Sequence, residues 1–389
     1  MREGAPSPLD LGSLGFDQGA HILVERALAA CAELVVVSSR PEFTVQASAW
    51  CRVRGHGAES LGNGSMRIRA RALTQRAERA GSVRRPEAHA PSRWGLAARG
   101  ALVEETGVGF RFAIEDRDAV WTDDAARLYA QAAAAQWDPE TAIPWNAPMS
   151  HPDQVEDAVV QVMTYLIENE IAALYVPTRF LPEIHPHFRE VVQVLAIQAA
   201  DEARYIEVFT RRASLRRGEL GLSTRGGQMS LKTLFEEPDF ALSAFLLSTL
   251  GEGSFLHLLR FLEANAPDPV TAAVCRLAAV DEARHVAFGL SHLRAQAERD
   301  PGLRPRMAAA VHRRFDALRE TAGLNELVFD ALVLLAAGSF EPEAIARGWQ
   351  RVADLQVEMD DGRRHRLVRL GFEPAEAVEL AGLHTRNFM

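Results

Sequence analysis

The chain has 389 residues, 48% hydrophobic and 24% charged, which reads as an ordinary globular protein longer than one core usually fills, so two or three domains are expected. A net charge of −9 argues against a general nucleic-acid partner, and Lys232 is the only lysine in an arginine-dominated basic set. Cys31, Cys51 and Cys275 are too few and too scattered for a disulfide framework or a cysteine zinc site; with no signal-peptide pattern at the start, a reducing cytoplasm is the expected compartment.

Residues 1–72 read as a small α/β unit. Pro8 to Leu11 opens a short strand, Gln18 to Ala32 is an amphipathic helix, and Glu33 to Ser39 is a β-branched buried strand. A second helix covers Thr44 to Arg54, Gly55-His56-Gly57 turns, and Ser65 to Ala70 alternates like an exposed edge strand. Residues 73–150 begin polar, Arg-rich and Pro-containing, as a linker does, and lack the aromatic interleaving of an RNA tether. Ala101 to Phe112 then reads as a hairpin around Thr106-Gly107. A helix from Asp123 to Gln136 leads through Trp137-Asp138-Pro139 and Ile143-Pro144-Trp145 into a longer helical region.

Residues 151–300 carry four long helices: Asp153 to Val176, Phe188 to Arg212, Asp239 to Ala264 and Asp268 to Ala297. Pro177 and Pro182 are expected in the first turn, and Gly218 to Gly227 in a long crossover. Phe240 to Leu259 is membrane-like in hydropathy, but Glu252 and His257 inside it favour a buried bundle helix, and no membrane is expected. Residues 301–389 add helices at Met307 to Glu320, Glu326 to Ala337, Pro342 to Leu370 and Pro374 to Leu383, which lengthen the bundle, cover a site or form a homodimer interface.

The chemistry gathers in the four long helices. In Val280-Asp281-Glu282-Ala283-Arg284-His285, Glu282 and His285 fall on one helical face a turn apart. This Glu-x-x-His element is one with which helix bundles hold iron or manganese, usually with a second copy and one Glu from each remaining helix. Asp201-Glu202-Ala203-Arg204-Tyr205 repeats the pattern, with Tyr205 where a second histidine belongs. Glu252 lies in the apolar run between them, and Glu170 precedes both, sharing a face with Leu166, Ala173 and Leu174; Glu168 is the alternative to it. The order Glu170, Glu202, Glu252, Glu282 fits two antiparallel helix pairs joined by one long crossover. Four converging carboxylates cannot all be buried as anions uncompensated. Hard oxygen donors with imidazole and no thiolate suit iron or manganese.

On these motifs, Asp153 to Ala297 resembles the ferritin-like di-iron carboxylate superfamily of ferritins, ribonucleotide reductase small subunits, multicomponent monooxygenases and arylamine N-oxygenases. The run Asn169-Glu170-Ile171-Ala172-Ala173-Leu174-Tyr175 is similar to the one around the first-helix ligand of ferritins. The resemblance implies a mainly α fold, a four-helix bundle with extra C-terminal helices after the small α/β domain. It also implies two iron ions, or manganese, or a mixed pair, on Glu170, Glu202, Glu252, Glu282 and His285, with Tyr205 at the altered position. By the same analogy Asp201 orients His285, Arg204 and Arg284 pair with the aspartates, and Asp281 faces Tyr205. Three readings of Tyr205 stay open: a phenolate ligand or redox-active phenol, an asymmetric or mononuclear centre, or a bundle that has lost catalysis.

The N-terminal unit resembles the small sulfur-carrier family typified by TusA and SirA, through its layout and Trp50-Cys51-Arg52-Val53-Arg54-Gly55-His56. That family carries sulfur on a Cys-Pro at the start of its first helix, where this chain has Phe16-Asp17. Cys51 beside Trp50 reads as a small core residue before a reactive thiol. Cys275 reads as packing, His257 as a packing or exposed residue, and His185 and His187 as solvated in a Pro-flanked turn. The expected function is a metal-dependent oxidoreductase that activates dioxygen to oxidise a small organic substrate, served by a separate reductase. The rivals are a non-catalytic scaffold and a sulfur-handling accessory protein acting through Cys51.

Overall fold

The computed structural model describes residues 7–71, 77–104, 108–319 and 326–384. The chain divides into two compact units, Met1–Ala80 with Gly100–Gly107, and Gly81–Arg99 with Val108–Met389.

The first unit is a four-stranded sheet under two helices. Its elements run β1 (Leu9–Asp10), α1 (Ala20–Leu28), β2 (Glu33–Val37), α2 (Phe43–Arg54), β3 (Gly57–Gly62) and β4 (Ser65–Arg69), with strand order β1-β2-β4-β3. β1 is parallel to β2 and the other pairings are antiparallel. Because side chains alternate along a strand, Leu34, Val36, Met66 and Ile68 pack with Val24, Leu28, Phe43, Ala47 and Cys51 of the helices. The open face pairs Arg67 with Glu59 at 2.9 Å and Arg69 with Glu33 at 2.8 Å. β4 is thus interior to the sheet, not the expected edge. The edge on that side is β3, joined to β4 through Asn63 and Gly64, both with positive φ as a tight hairpin turn requires. The expected 101–112 hairpin does not form either: β6 (Leu102–Glu104) pairs antiparallel with β5 (Ala77–Arg79), from the stretch that reads as linker. Thr106-Gly107 lies outside the described residues.

The second unit is helical. After α3 (Ala125–Ala134) and the single turn α4 (Pro139–Ala142) come the bundle helices α5 (Asp153–Thr178) and α6 (Arg189–Ser214). The crossover carries α7 (Arg225–Phe235), and the third bundle helix is α8 (Phe240–Ala244), a π-helical segment Phe245–Glu252, and α9 (Gly253–Ala264). The fourth is α10 (Pro269–Arg299). Asp239 caps α8 at Leu242 N, and Asp268 caps α10 at Thr271 N. Pro177 falls inside the last turn of α5, one residue before its end, and not in the turn that follows. α5 pairs with α6, and α10 with the π-segment and α9, giving two antiparallel pairs of a ferritin-like four-helix bundle whose apolar residues form two core clusters, one toward Glu326–Ala337 and Pro342–Arg369 and one toward Leu303–Leu318 and Pro374–His384.

The apolar lengths of α5 and of Phe240–Ala264 meet the criterion for a membrane span, yet 67% and 83% of those windows are buried inside the protein. Both are core helices of the bundle. A buried network ties the ends of three helices: Arg212 of α6 donates to Glu156 of α5 at 2.8 and 2.9 Å, to Asp268 at 2.7 Å and to Thr271 at 2.7 Å. α11 (Leu303–Leu318), α12 (Glu326–Ala337), α13 (Pro342–Arg369) and α14 (Pro374–His384) surround these clusters. α12 packs on α5 and α13, and α13 on α9 and the π-segment.

Candidate metal centre

Each bundle helix directs one carboxylate inward. Glu170 of α5, Glu202 of α6, Glu252 at the end of the π-segment and Glu282 of α10 are all buried, and His285 lies one turn beyond Glu282. Among the described residues, one group has metal-ligand geometry: single donor atoms of Glu202, Glu252, Glu282 and His285 lie within 4.8 Å of one another. Glu170 stands beside this group, close enough for its carboxylate to interact electrostatically with those of Glu202, Glu282 and Glu252. Glu168 instead lines an outer groove with Tyr175 and Phe235.

Burial and the mutual repulsion of the carboxylates push Glu170 and Glu252 well above the usual carboxylate range, and Glu282 up to about 7. His285 is pushed well above an ordinary imidazole because burial is outweighed by Glu282 and Glu202. Its Nδ1 is 3.1 Å from Glu202 Oε1 and 3.3 Å from Glu282 Oε2, while Nε2 is 3.3 Å from Asp201 Oδ2. In the absence of a cation this favours a protonated Nδ1 facing the carboxylates; with the Nε2 proton held by Asp201, a cation that displaced the Nδ1 proton would meet the Nδ1 lone pair, which is how an outer carboxylate fixes a ligating tautomer.

Both carboxylate oxygens of Glu202 and Glu282, with Oε2 of Glu252 and Oε1 of Glu170, are buried without a hydrogen-bond partner. Buried polar atoms are rarely left so, and a divalent cation supplies what these lack. Three carboxylates and one imidazole form a donor set suited to iron or manganese. The residues present therefore fit a resident metal.

The aspartates are compensated differently from the glutamates. Arg204 Nη2 reaches Asp201 at 2.6 Å and Asp281 at 3.0 Å, Arg284 pairs with Asp281, and Gln136 Nε2 donates to Asp201 at 2.8 Å. Asp281 lies close to Tyr205 and receives a hydrogen bond from Trp137 Nε1 at 2.8 Å. The indole supplies the N–H that a phenol in place of the second histidine cannot place there, and Arg204 lies over its ring, 4.5 Å from the centroid. Tyr205 is fully buried, stacked on Trp137 at 6.5 Å, and its hydroxyl has no partner. Burial, with Glu282 and Asp281 nearby, pushes its pKa well above that of a free phenol, so it is held protonated.

Several contributors escape motif reading. Gln198, one turn before Glu202 on the same face, donates Nε2 to Glu252 Oε1 at 3.0 Å. Ser248, one turn before Glu252, hydrogen-bonds it as well. Arg366 of α13 donates Nε to the Thr249 carbonyl at 2.6 Å, and Arg363 donates Nη1 to Ser254 at 3.0 Å, so the C-terminal helices brace the π-segment. A Cβ on Gly253 would stand 2.4 Å from Arg366 Nε, so glycine there lets the guanidinium approach.

The remaining candidates lie elsewhere. Cys275 is core packing in the bundle, and Cys51 is buried in the first unit with its thiol pushed up to about 11 by burial. His257 is half-buried on α9 beside Gly362. His185 and His187 are not solvated: both are buried, Glu87 N donates to His187 Nε2 at 2.9 Å, and desolvation lowers His187 to about 4.

No protein-family profile matches the sequence, and no curated protein does. Solved structures similar to the chain include an R2-like ligand-binding oxidase with an aerobically reconstituted metal cofactor after photoconversion, at 17% identity over 67% of this chain and 94% of that one, TM-score 0.45. A variant of an R2-like ligand-binding oxidase with an aerobically reconstituted Mn/Fe cofactor has 17% identity over 67% and 94%, TM-score 0.43. Another, with an anaerobically reconstituted Mn/Fe cofactor, has 18% identity over 68% and 93%, TM-score 0.43.

Proposed function

We propose that the protein is a metal-dependent oxidoreductase in which Glu202, Glu252, Glu282 and His285 hold one divalent ion firmly, with Glu170 and Tyr205 flanking a weaker second position. The supporting observation is the set of buried, unpartnered carboxylate oxygens around His285 Nδ1. Reduced iron or manganese in such a site supplies dioxygen activation and the oxidation of a small organic substrate, with electrons from a separate reductase.

The chain's own residues do the rest. Asp201 holds the Nε2 proton of His285 and so directs Nδ1 inward. Gln198 and Ser248 orient Glu252. Arg204 and Arg284 neutralise Asp201 and Asp281, keeping further negative charge off the cluster. Tyr205 is the proposed catalytic residue: its protonated, unpartnered hydroxyl stands near Glu202 and Glu282, where it could pass an electron to an oxidised metal ion held by those residues and its proton to one of their carboxylates.

A scaffold built on a degenerate bundle is the rival reading, and it draws on the histidine lost at Tyr205. Sulfur handling through Cys51 is disfavoured by that thiol's burial and raised pKa. Metal content by plasma mass spectrometry, on protein expressed with iron and manganese available, tests the proposal. About one tightly held ion per chain, lost in Glu282→Ala, is expected on the ligand arithmetic of such sites. No bound metal in the native protein would leave the scaffold.

A further inference from the structure

The cluster has two unlike sides. Toward Tyr205 it is walled by the polar network of Asp201, Asp281, Arg204, Gln136 and Trp137. Toward Glu252 lies a small, narrow pocket between α5, α6, α8, the π-segment and α10. Val176, Phe180, Leu195, Phe240, Leu247 and Phe288 form its apolar wall, and all six are buried. Of its polar lining side chains, Ser243 is met by Arg179 Nη2 at 3.4 Å, whereas Gln198 and Ser248 both reach Glu252. Gly289 leaves room for Ser248, since a Cβ there would stand 2.6 Å from Ser248 Cβ.

The cavity offers about 20 Å³ to the centre of a water-sized molecule. One water needs roughly 10–15 Å³ by that measure together with two to four polar partners, and cavities with apolar walls stay dry and take up apolar gases. The space suits an uncharged molecule of about two heavy atoms, on the order of one or two waters in size.

We propose that this cavity is the entry pocket for dioxygen, delivering it to the Glu252 edge of the cluster; the proposal rests on reading the cluster as an oxygen-activating metal site. Dioxygen is apolar and diatomic and needs no hydrogen bond to dwell there, so the wall concentrates it while Gln198 and Ser248 stay engaged with Glu252.

Xenon is the probe, because it binds apolar cavities whether or not metal is present. Crystals of the native protein under xenon pressure should show a xenon atom between Phe180, Phe240 and Phe288; ordered water there, or xenon only elsewhere, overturns the proposal. Leu195→Phe and, as a milder second variant, Ala244→Val should fill the space and lose the xenon peak. Each should keep native metal content and reoxidise in air about tenfold more slowly after reduction, a barrier increase of ~1.4 kcal/mol. Filled cavities with unchanged reoxidation would refute an entry role while leaving the metal site intact. A native protein without metal would instead defeat the oxidase reading, and with it the pocket's purpose, through the metal analysis and not through the xenon result.

Discussion

Replacing Glu282 with glutamine should make the metal-free protein more stable at alkaline pH and remove its stabilisation by metal. Glu282 is raised from 4.5 to about 7 by burial and by Glu202. A raised folded-state value means the stability from this group is fully present below the ordinary value of 4.5, and is lost as pH rises through about 7. At 1.36 kcal/mol per unit, carrying the charged form at pH 8 costs about 3 kcal/mol relative to a neutral side chain of the same shape. Glu170 and Glu252 are shifted in the same direction and deepen the trend. His285 loses its 3.3 Å contact with Glu282 in the variant but keeps Glu202 at 3.1 Å. For a helical unit of this size, with unfolding entropy of roughly 2 cal/mol/K per residue, 3 kcal/mol corresponds to about 5 °C in Tm. Calorimetry in chelator at pH 5 and pH 8 should show near-equal Tm values at pH 5 and the variant melting about 5 °C higher at pH 8. Added manganese at 100 times its Kd should raise the native protein by about 2.7 kcal/mol and leave the variant unmoved. A variant less stable than the native chain at pH 8 without metal would show that the carboxylates are already compensated, and the argument for a cation would fail.

Tyr205→His restores an imidazole at the weaker position and should raise metal content from about one to about two ions per chain, read by the same mass analysis. Only one of the three cysteines should react with a thiol reagent in the folded protein: Cys31 is half-buried, whereas Cys51 and Cys275 are buried with raised pKa values, and all three should react in denaturant. Arg366→Met removes the donor to Thr249 O and should cost about 2 kcal/mol in urea unfolding, while weakening metal retention through Glu252. Arg212→Met leaves Glu156 and Asp268 buried without their partner and should cost about 3–5 kcal/mol, with an unchanged result overturning the role given to that network.

Long, proline-poor apolar runs with Asp239 and Asp268 as caps made the bundle helices readable, and a repeated Asp-Glu-Ala-Arg on two of them made their inward faces readable too. What local sequence could not carry was anything decided between distant segments. Trp137 becomes the partner of Asp281 only because α3 and α4 bring it against α6 and α10. His185 and His187 look like loop residues until the stretch at 81–99 and Phe112 cover them. β3 was hidden because Gly57–Gly62 has no β-branched residue, although Asn63-Gly64 just beyond it was the available hairpin signal. The π-segment leaves no mark in an apolar run whose residues are buried all round.

That segment sets a constraint of length more than of residue type. A π-helix takes more residues per turn than an α-helix. Across Phe245–Glu252 the third bundle helix therefore lags its α-helical phase, and this lag enters the direction in which Glu252 faces Gln198 on α6. Apolar substitutions at Leu246 or Leu247 leave the phase alone. Deletion of a single codon in this stretch would turn everything on one side of it by about 100° against the other, the step of one residue in an α-helix. A lineage could keep the bundle through such a deletion and lose the fourth corner of the cluster in one event, without changing any residue that touches it.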